Sequence, residues 1–268
     1  MRKSLSAIAL ALVCSFNPVY AADDTAAASS QDVSEPMVTQ AAPVSEEIKA
    51  LFKSLDKNSF PPSAIATMSL TSYKGDEEAK SLSMEFFAKN DSVLIEILAP
   101  RVDKGKYILK SSDDLWMYFS KINRSIRIAA RDSFMGTDAN NYDLLELNLV
   151  DDYDIVSHSE VTLDGKLALR LELEALPDTE GYARIVSYID PVDKTIIKNE
   201  CFAISNTMIK TISYHDHQVI GGYKVPMKTT ILNHLEEGRH SVMLFDAVEI
   251  DEGIEDFMFS LGYLESLD

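Results

Sequence analysis

Leu167, Leu169, Leu171 and Leu173 alternate with Ala168, Arg170, Glu172 and Glu174. A period of two fits a strand with one buried and one wet face, and apolar strand-like segments recur through most of the chain. They run from Ile65 to Ser72, Ser83 to Lys89, Ser92 to Leu98, Tyr107 to Ser111, Leu115 to Ser120, Ser125 to Ala130 and Ile155 to Val161. Others run from Ala183 to Asp190, Lys194 to Ile204, Met208 to His215, Lys224 to Leu235 and Arg239 to Ile250. Turn-forming runs separate several of them: Lys74-Gly75-Asp76, Asp164-Gly165, Asn206-Thr207, Gly221-Gly222 and Glu236-Glu237-Gly238-Arg239. Long antiparallel hairpins are expected, with Pro226 near an edge or a bulge.

A helical period opens the domain. Ser45 precedes Ile48, Leu51, Phe52 and Leu55, one apolar stripe at i, i+3, i+4, i+7, with Glu46 and Glu47 favourable in the first turn. Asn58 to Pro62 stops it. A sheet of about ten or more strands curls or splits, and one or two helices cannot cover it all. The predicted fold is therefore mainly β, a curved antiparallel sheet forming a half-open, incomplete barrel with a few covering helices over 45–268. A concave apolar face imperfectly filled by those helices leaves a cavity suited to an apolar ligand.

Ahead of that domain, Arg2 and Lys3 precede an apolar run from Leu5 to Phe16 and the small residues Ala21-Ala22, the order of a secretory signal peptide over 1–22. This predicts export to the periplasm. Val13 before Cys14 argues against lipid attachment there, and Cys201 is then left alone, without a disulfide partner. Residues 23–44 are rich in Ala, Ser, Thr and acids and contain no aromatic, which predicts a flexible linker. With 43 Asp and Glu against 25 Lys and Arg, the formal charge is -18. Nucleic acid is excluded as a partner by that balance, because phosphate binding depends on basic side chains displacing counterions.

Between Pro100 and Leu147 the order of elements is distinctive. Pro100 is followed by Lys104-Gly105, Leu115-Trp116-Met117-Tyr118, Arg127-Ile128, then Ser133-Phe134-Met135-Gly136-Thr137-Asp138 and Tyr142-Asp143-Leu144. This segment resembles the outer membrane lipoprotein-sorting protein family, relatives of the LolA carrier, with weaker support over 45–268. Phe119-Ser120, Thr137 and Ala139 depart from the family pattern. The resemblance implies a half-open barrel capped by helices whose interior accepts acyl chains of lipids or lipoproteins. It also implies an inner-membrane transporter and an outer-membrane acceptor as partners.

Read for themselves, Leu51, Phe52, Leu55, Trp116, Tyr118, Ile126, Ile128, Phe134, Met135, Tyr142 and Leu144 are the candidate ligand-binding residues, with core packing the alternative for each. In Leu115 to Phe119 every side chain is apolar or aromatic, so both faces of that strand are expected to be covered. Gly136, Thr137 and Asp138 are expected as a lid hinge or a helix cap. Arg124, Arg127 and Arg131, with Lys121, form the basic cluster, set to pair with Asp132, Asp138 and Asp143 or to meet a headgroup or partner.

Catalytic constellations are thin. The H-x-H of His215 and His217 lacks a third ligand, and Asp151, Asp152 and Asp154 read as a solvated loop. His234 and His240 flank a turn, where pairing of Leu235 with His240 would set His234 opposite Ser241. Cys201 has no adjacent base in sequence, and no phosphate loop or nucleophile elbow is present. Neither a cofactor nor a metal is expected, and no enzyme. A carrier of acyl chains leads, ahead of an accessory or sensor subunit docking to an inner-membrane transporter, and ahead of an enzyme acting on a hydrophobic substrate.

Overall fold

The computed structural model describes residues 44–267 apart from 113, 146, 147, 251 and 252. The expected signal peptide, Cys14, the linker up to residue 43, and Leu147 lie outside the described residues. Helix α1 (Glu46–Ser59) starts where expected, with the Ser45 hydroxyl accepting a hydrogen bond from the Ile48 amide at 3.3 Å. Phe60 returns to extended backbone, and Pro61-Pro62 cannot continue a helix.

Thirteen strands follow: β1 (Ser63–Lys74), β2 (Glu77–Lys89), β3 (Ser92–Ala99), β4 (Lys106–Ser111), β5 (Asp114–Phe119), β6 (Arg124–Arg127), β7 (Tyr153–Leu163), β8 (Lys166–Ala175), β9 (Arg184–Asp190), β10 (Thr195–Phe202), β11 (Met208–Ile220), β12 (Tyr223–Asn233) and β13 (Arg239–Ile250). All lie in one sheet of order β6-β5-β4-β3-β2-β1-β13-β12-β11-β10-β9-β8-β7. Every neighbouring pair is antiparallel. The sheet curves without closing, leaving β6 and β7 as its edges, and two meanders meet where β1 pairs with β13. Between the edge strands the chain forms α2 (Asn141–Leu145) and α3 (Leu149–Asp152).

Alternation sets the two faces. Inward residues such as Met68, Met84, Ile108, Leu171, Ile185 and Ile231 form the main core, over which α1 lays Phe52 and Leu55. The α1 helix packs mainly against β12, and less extensively against α3 and β10. On the outer face, Leu94, Leu109 and Tyr118 form a second cluster beneath Ile254, Phe259 and Leu264. Phe259 belongs to a 3-10 turn over 256–259 and Leu264 to α4 (Leu261–Glu265), which Ser260 caps, while Ile254 lies just ahead of the turn. The double-sided β5 is thus explained: Leu115 and Met117 face the main core, while Trp116 and Tyr118 face the C-terminal helical turns.

Two local expectations are corrected. His240 pairs with Leu232 and Ser241 with Ile231, so His234 lies outside the β12–β13 ladder and contacts the Thr211 hydroxyl at 2.9 Å. The cap of α2 is Asn140 and not Thr137 or Asp138. The Asn140 amide donates to Asp143 Oδ2 and the Asp143 amide donates to Asn140 Oδ1, both at 2.9 Å, a reciprocal capping arrangement.

Candidate ligand-binding hollow

The inner face divides along the strands. On one half lie Met68 of β1, Phe86 of β2, Tyr214 of β11, and Met243 and Phe245 of β13, all on inward positions of the alternation. They leave two adjoining chambers of about 210 Å³ and 940 Å³ that share Ser59, Phe60, Asp143, Met243 and Phe245 in their walls. Phe60 stands between Phe86 and Phe245, with ring centroids 5.7 Å from each. Rings at this spacing attract through their edges and faces, so they line a hollow without filling it. The rings and the Met243 thioether make a hydrocarbon-like wall, while Ser59, Asn90, Asp91 and Asn148 add polar groups to the lining of the larger chamber.

The other half is filled by the segment between β6 and β7. Lys210 Nζ donates to Asp143 Oδ2 at 2.7 Å and to the Asp138 carbonyl at 3.0 Å. Asp138 accepts from Arg239 Nε at 3.0 Å, Asn233 Nδ2 at 3.1 Å and Ser241 Oγ at 3.0 Å. Lys80 donates to the Met135 carbonyl. Burial alone would raise the Asp138 carboxyl, but the hydrogen bonds from Asn233, Arg239 and Ser241 outweigh it and hold it below the usual range. The neighbouring phenols move the other way: burial first, then the Asp143 charge, raises Tyr182, and burial raises Tyr153 to about 12. Burial also pushes the Cys201 thiol up, which keeps it protonated and a poor nucleophile.

Of the expected ligand-binding residues, Leu55 and Leu144 line the hollow. Leu51, Ile128 and Met135 pack against the core, and Phe52 belongs to it. Phe134 is wholly buried, and Tyr142 is held by hydrogen bonds from its hydroxyl to Asp152 at 2.6 Å and Tyr153 at 3.4 Å. Trp116 and Tyr118 lie on the opposite face of the sheet, and Ile126 is exposed on the edge strand.

In the expected hinge, Met135 and Gly136 both have positive φ and form a tight turn, Thr137 Oγ1 donates to the Phe134 carbonyl at 2.7 Å, and Asp138 is buried. The basic cluster does not pair as expected. Arg127 bonds to Asp114 and lies over the Trp116 ring at 5.6 Å, while Arg124 and Arg131 are exposed. Asp138 and Asp143 pair instead with Arg239 and Lys210, which strand pairing brings in from far along the chain.

Sequence reasoning missed Phe60, Met68, Phe86, Ile196, Tyr214, Met243 and Phe245. Met243 and Phe245 stand at i and i+2 on one face of β13, but Val242 and Leu244 beside them are apolar as well, so alternation did not mark that face. Phe60 carried no signal, because it precedes Pro61-Pro62 and reads as a helix terminator.

Solved structures share this architecture. A domain from Vibrio parahaemolyticus described as an outer membrane lipoprotein-sorting protein domain superposes with a TM-score of 0.71 at 19% identity, over 81% of this chain and 97% of that one. A LolA superfamily protein from Nitrosomonas europaea gives 0.71 at 19% identity, over 80% and 98%. A DUF1329 family protein from Desulfovibrio piger gives 0.73 at 20% identity, over 81% and 97%. No curated protein matches the sequence. A family model described as an uncharacterized protein matches residues 89–266. The chain belongs to that family, and its fold is LolA-like. The matched region starts at the end of β2 and includes the whole segment between β6 and β7, together with most of the inner wall.

Proposed function

We propose that this LolA-like chain is a periplasmic binding and carrier protein that shelters acyl chains of lipids or lipoproteins on their way toward the outer membrane. The observation that carries the reading is the hollow around Phe60, Phe86, Met243 and Phe245, which the protein's own side chains leave open. The charged and small-residue order of 1–22 supports export.

An acyl chain needs such shelter. Each buried CH₂ contributes roughly 0.8 kcal/mol, so a 16-carbon chain carries on the order of 12 kcal/mol against entering water. A carrier lowers that barrier by offering apolar walls, and it must also release the chain, which favours an open hollow over a sealed core. The ion-paired half of the inner face holds the sheet in shape while the apolar half stays vacant for cargo.

Native mass spectrometry of the full chain isolated from the periplasm, followed by lipid extraction, tests this. The expected result is an acyl lipid bound in the gas phase and freed by organic solvent. Protein that is consistently empty and co-purifies with a membrane transporter would overturn the reading in favour of an accessory subunit.

A further inference from the structure

The ladder between β10 and β11 is incomplete. Pairing runs from Phe202 opposite Met208 to Lys198 opposite Ser213 and ends there, although β10 reaches back to Thr195 and β11 continues to Ile220. Each strand keeps its other neighbour: β9 pairs with β10 as far as Thr195, and β12 pairs with β11 as far as Ile220. The sheet is therefore slit between two intact hairpins. Asp216, with φ of 54°, lies just beyond the last pair and turns β11 away.

The smaller chamber opens at this slit. Lys194, Thr195 and Ile196 line it from one lip, and Tyr214 and His217 from the other. Lys224 reaches the same opening from β12, its ammonium 2.6 Å from the Asp193 carbonyl and 3.1 Å from the Asp193 carboxylate. Deeper in the wall, opposite Tyr214, stands Thr229, which is 3% exposed and whose hydroxyl has no hydrogen-bond partner. A buried hydroxyl is unfavourable until something completes its hydrogen bond. Thr229 is five residues beyond Lys224 on β12, about 17 Å along the strand, and that odd spacing turns Lys224 to the outer side of the sheet and Thr229 to the inner one, so the lysines meet a ligand from outside the slit and the hydroxyl meets it from within.

We propose that the slit is a side entrance for an ester-linked acyl lipid with an anionic phosphate head. The head oxyanion lies at Lys194 and Lys224, the ester carbonyl accepts from the Thr229 hydroxyl, and the tail runs past Met243 and Phe245 toward Phe86. This rests on the acyl-binding reading above and specifies which part of the lipid each wall recognises. A fatty acid carries all its oxygens at one end and satisfies either the rim or Thr229; a glycerophosphate ester satisfies both.

Competition for the full chain against a fluorescent acyl probe, with all lipids below their micellar concentrations, tests the proposal. The competitors are palmitoyl lysophosphatidic acid, its ether analogue without the carbonyl, monopalmitoylglycerol without the phosphate, and inorganic phosphate. Lysophosphatidic acid is expected to bind tightest, with the ether analogue and the monoacylglycerol each weaker by about tenfold, and inorganic phosphate not competing. Thr229→Val should bring the ester and ether together. The double variant Lys194→Glu/Lys224→Glu should bring lysophosphatidic acid and monopalmitoylglycerol together, while retained monopalmitoylglycerol binding and an unchanged circular dichroism spectrum confirm folding. Equal affinities in the parent protein, discrimination that survives in both variants, or displacement by inorganic phosphate overturns the proposal and leaves the acyl-binding reading standing. No binding of any of the lipids overturns both.

Discussion

The two halves of the inner face are built from the same strands and differ in what those strands present. Along β13, Arg239 and Ser241 give way to Met243 and Phe245; along β2, Lys80 gives way to Phe86; along β11, Lys210 gives way to Tyr214. The first residue of each series is tied to the segment between β6 and β7, and the later ones face open space. A curved sheet with few helices cannot fill its own concavity. This one concentrates buried ion pairs at one end and leaves the other end open, with an aromatic and thioether wall beside the polar Ser59, Asn90, Asp91 and Asn148. Rigidity and capacity are separated along the strand axis.

The contrast breaks most severely at Lys210. Lys210→Ala leaves Asp143, 2% exposed, buried without its cation, and should lower stability by about 3–5 kcal/mol, read from the midpoint of urea unfolding. Phe245→Ala acts on the vacant half. Its ring already borders empty volume, so the loss should be about 1–3 kcal/mol, below the range for a close-packed Phe, and the larger hollow should admit bulkier acyl probes.

Acid sharpens the comparison further. Asp138 has a lowered folded pKa, so its contribution is present above the unfolded value of about 4 and is lost as pH falls through the folded value. Thermal unfolding should move to lower temperature below about pH 4 in the parent and respond less in Asp138→Asn, whereas Phe245→Ala should keep the parent's dependence. Arg127→Ala, which removes an exposed pair outside both halves, should change stability by no more than about 1 kcal/mol.

The alternation of polar and apolar residues made the strands legible before any coordinates. Each expected strand segment has a counterpart in the sheet, and the helix expected after Ser45 is α1. What alternation cannot carry is which polar residues meet across the fold. Asp138 finds Arg239 and Asp143 finds Lys210 only because β11 and β13 come to lie beneath the segment between β6 and β7. The same limit hid which side of β5 faces the main core, because Leu115 to Phe119 is apolar on both faces and the C-terminal turn that covers Trp116 lies far along the chain. Gly136 to Asp138 read as a lid hinge or a helix cap because a Gly follows the large apolar Phe134 and Met135. The buried carboxylates of Asp138 and Asp143, ordinary in a sequence, are what anchor the segment between β6 and β7.

The pairing of β1 with β13 bears on when such a domain can close. Residue 64 sits opposite residue 250 and residue 74 opposite residue 239, so the middle of the sheet joins strands from the two extremes of the domain. Closing so long a loop is slow, and the first meander has no partner along its β1 side until the last strand arrives. A polypeptide threaded through a translocation pore from its N-terminus would thus remain extended during passage and lock its central seam only after β13 has emerged.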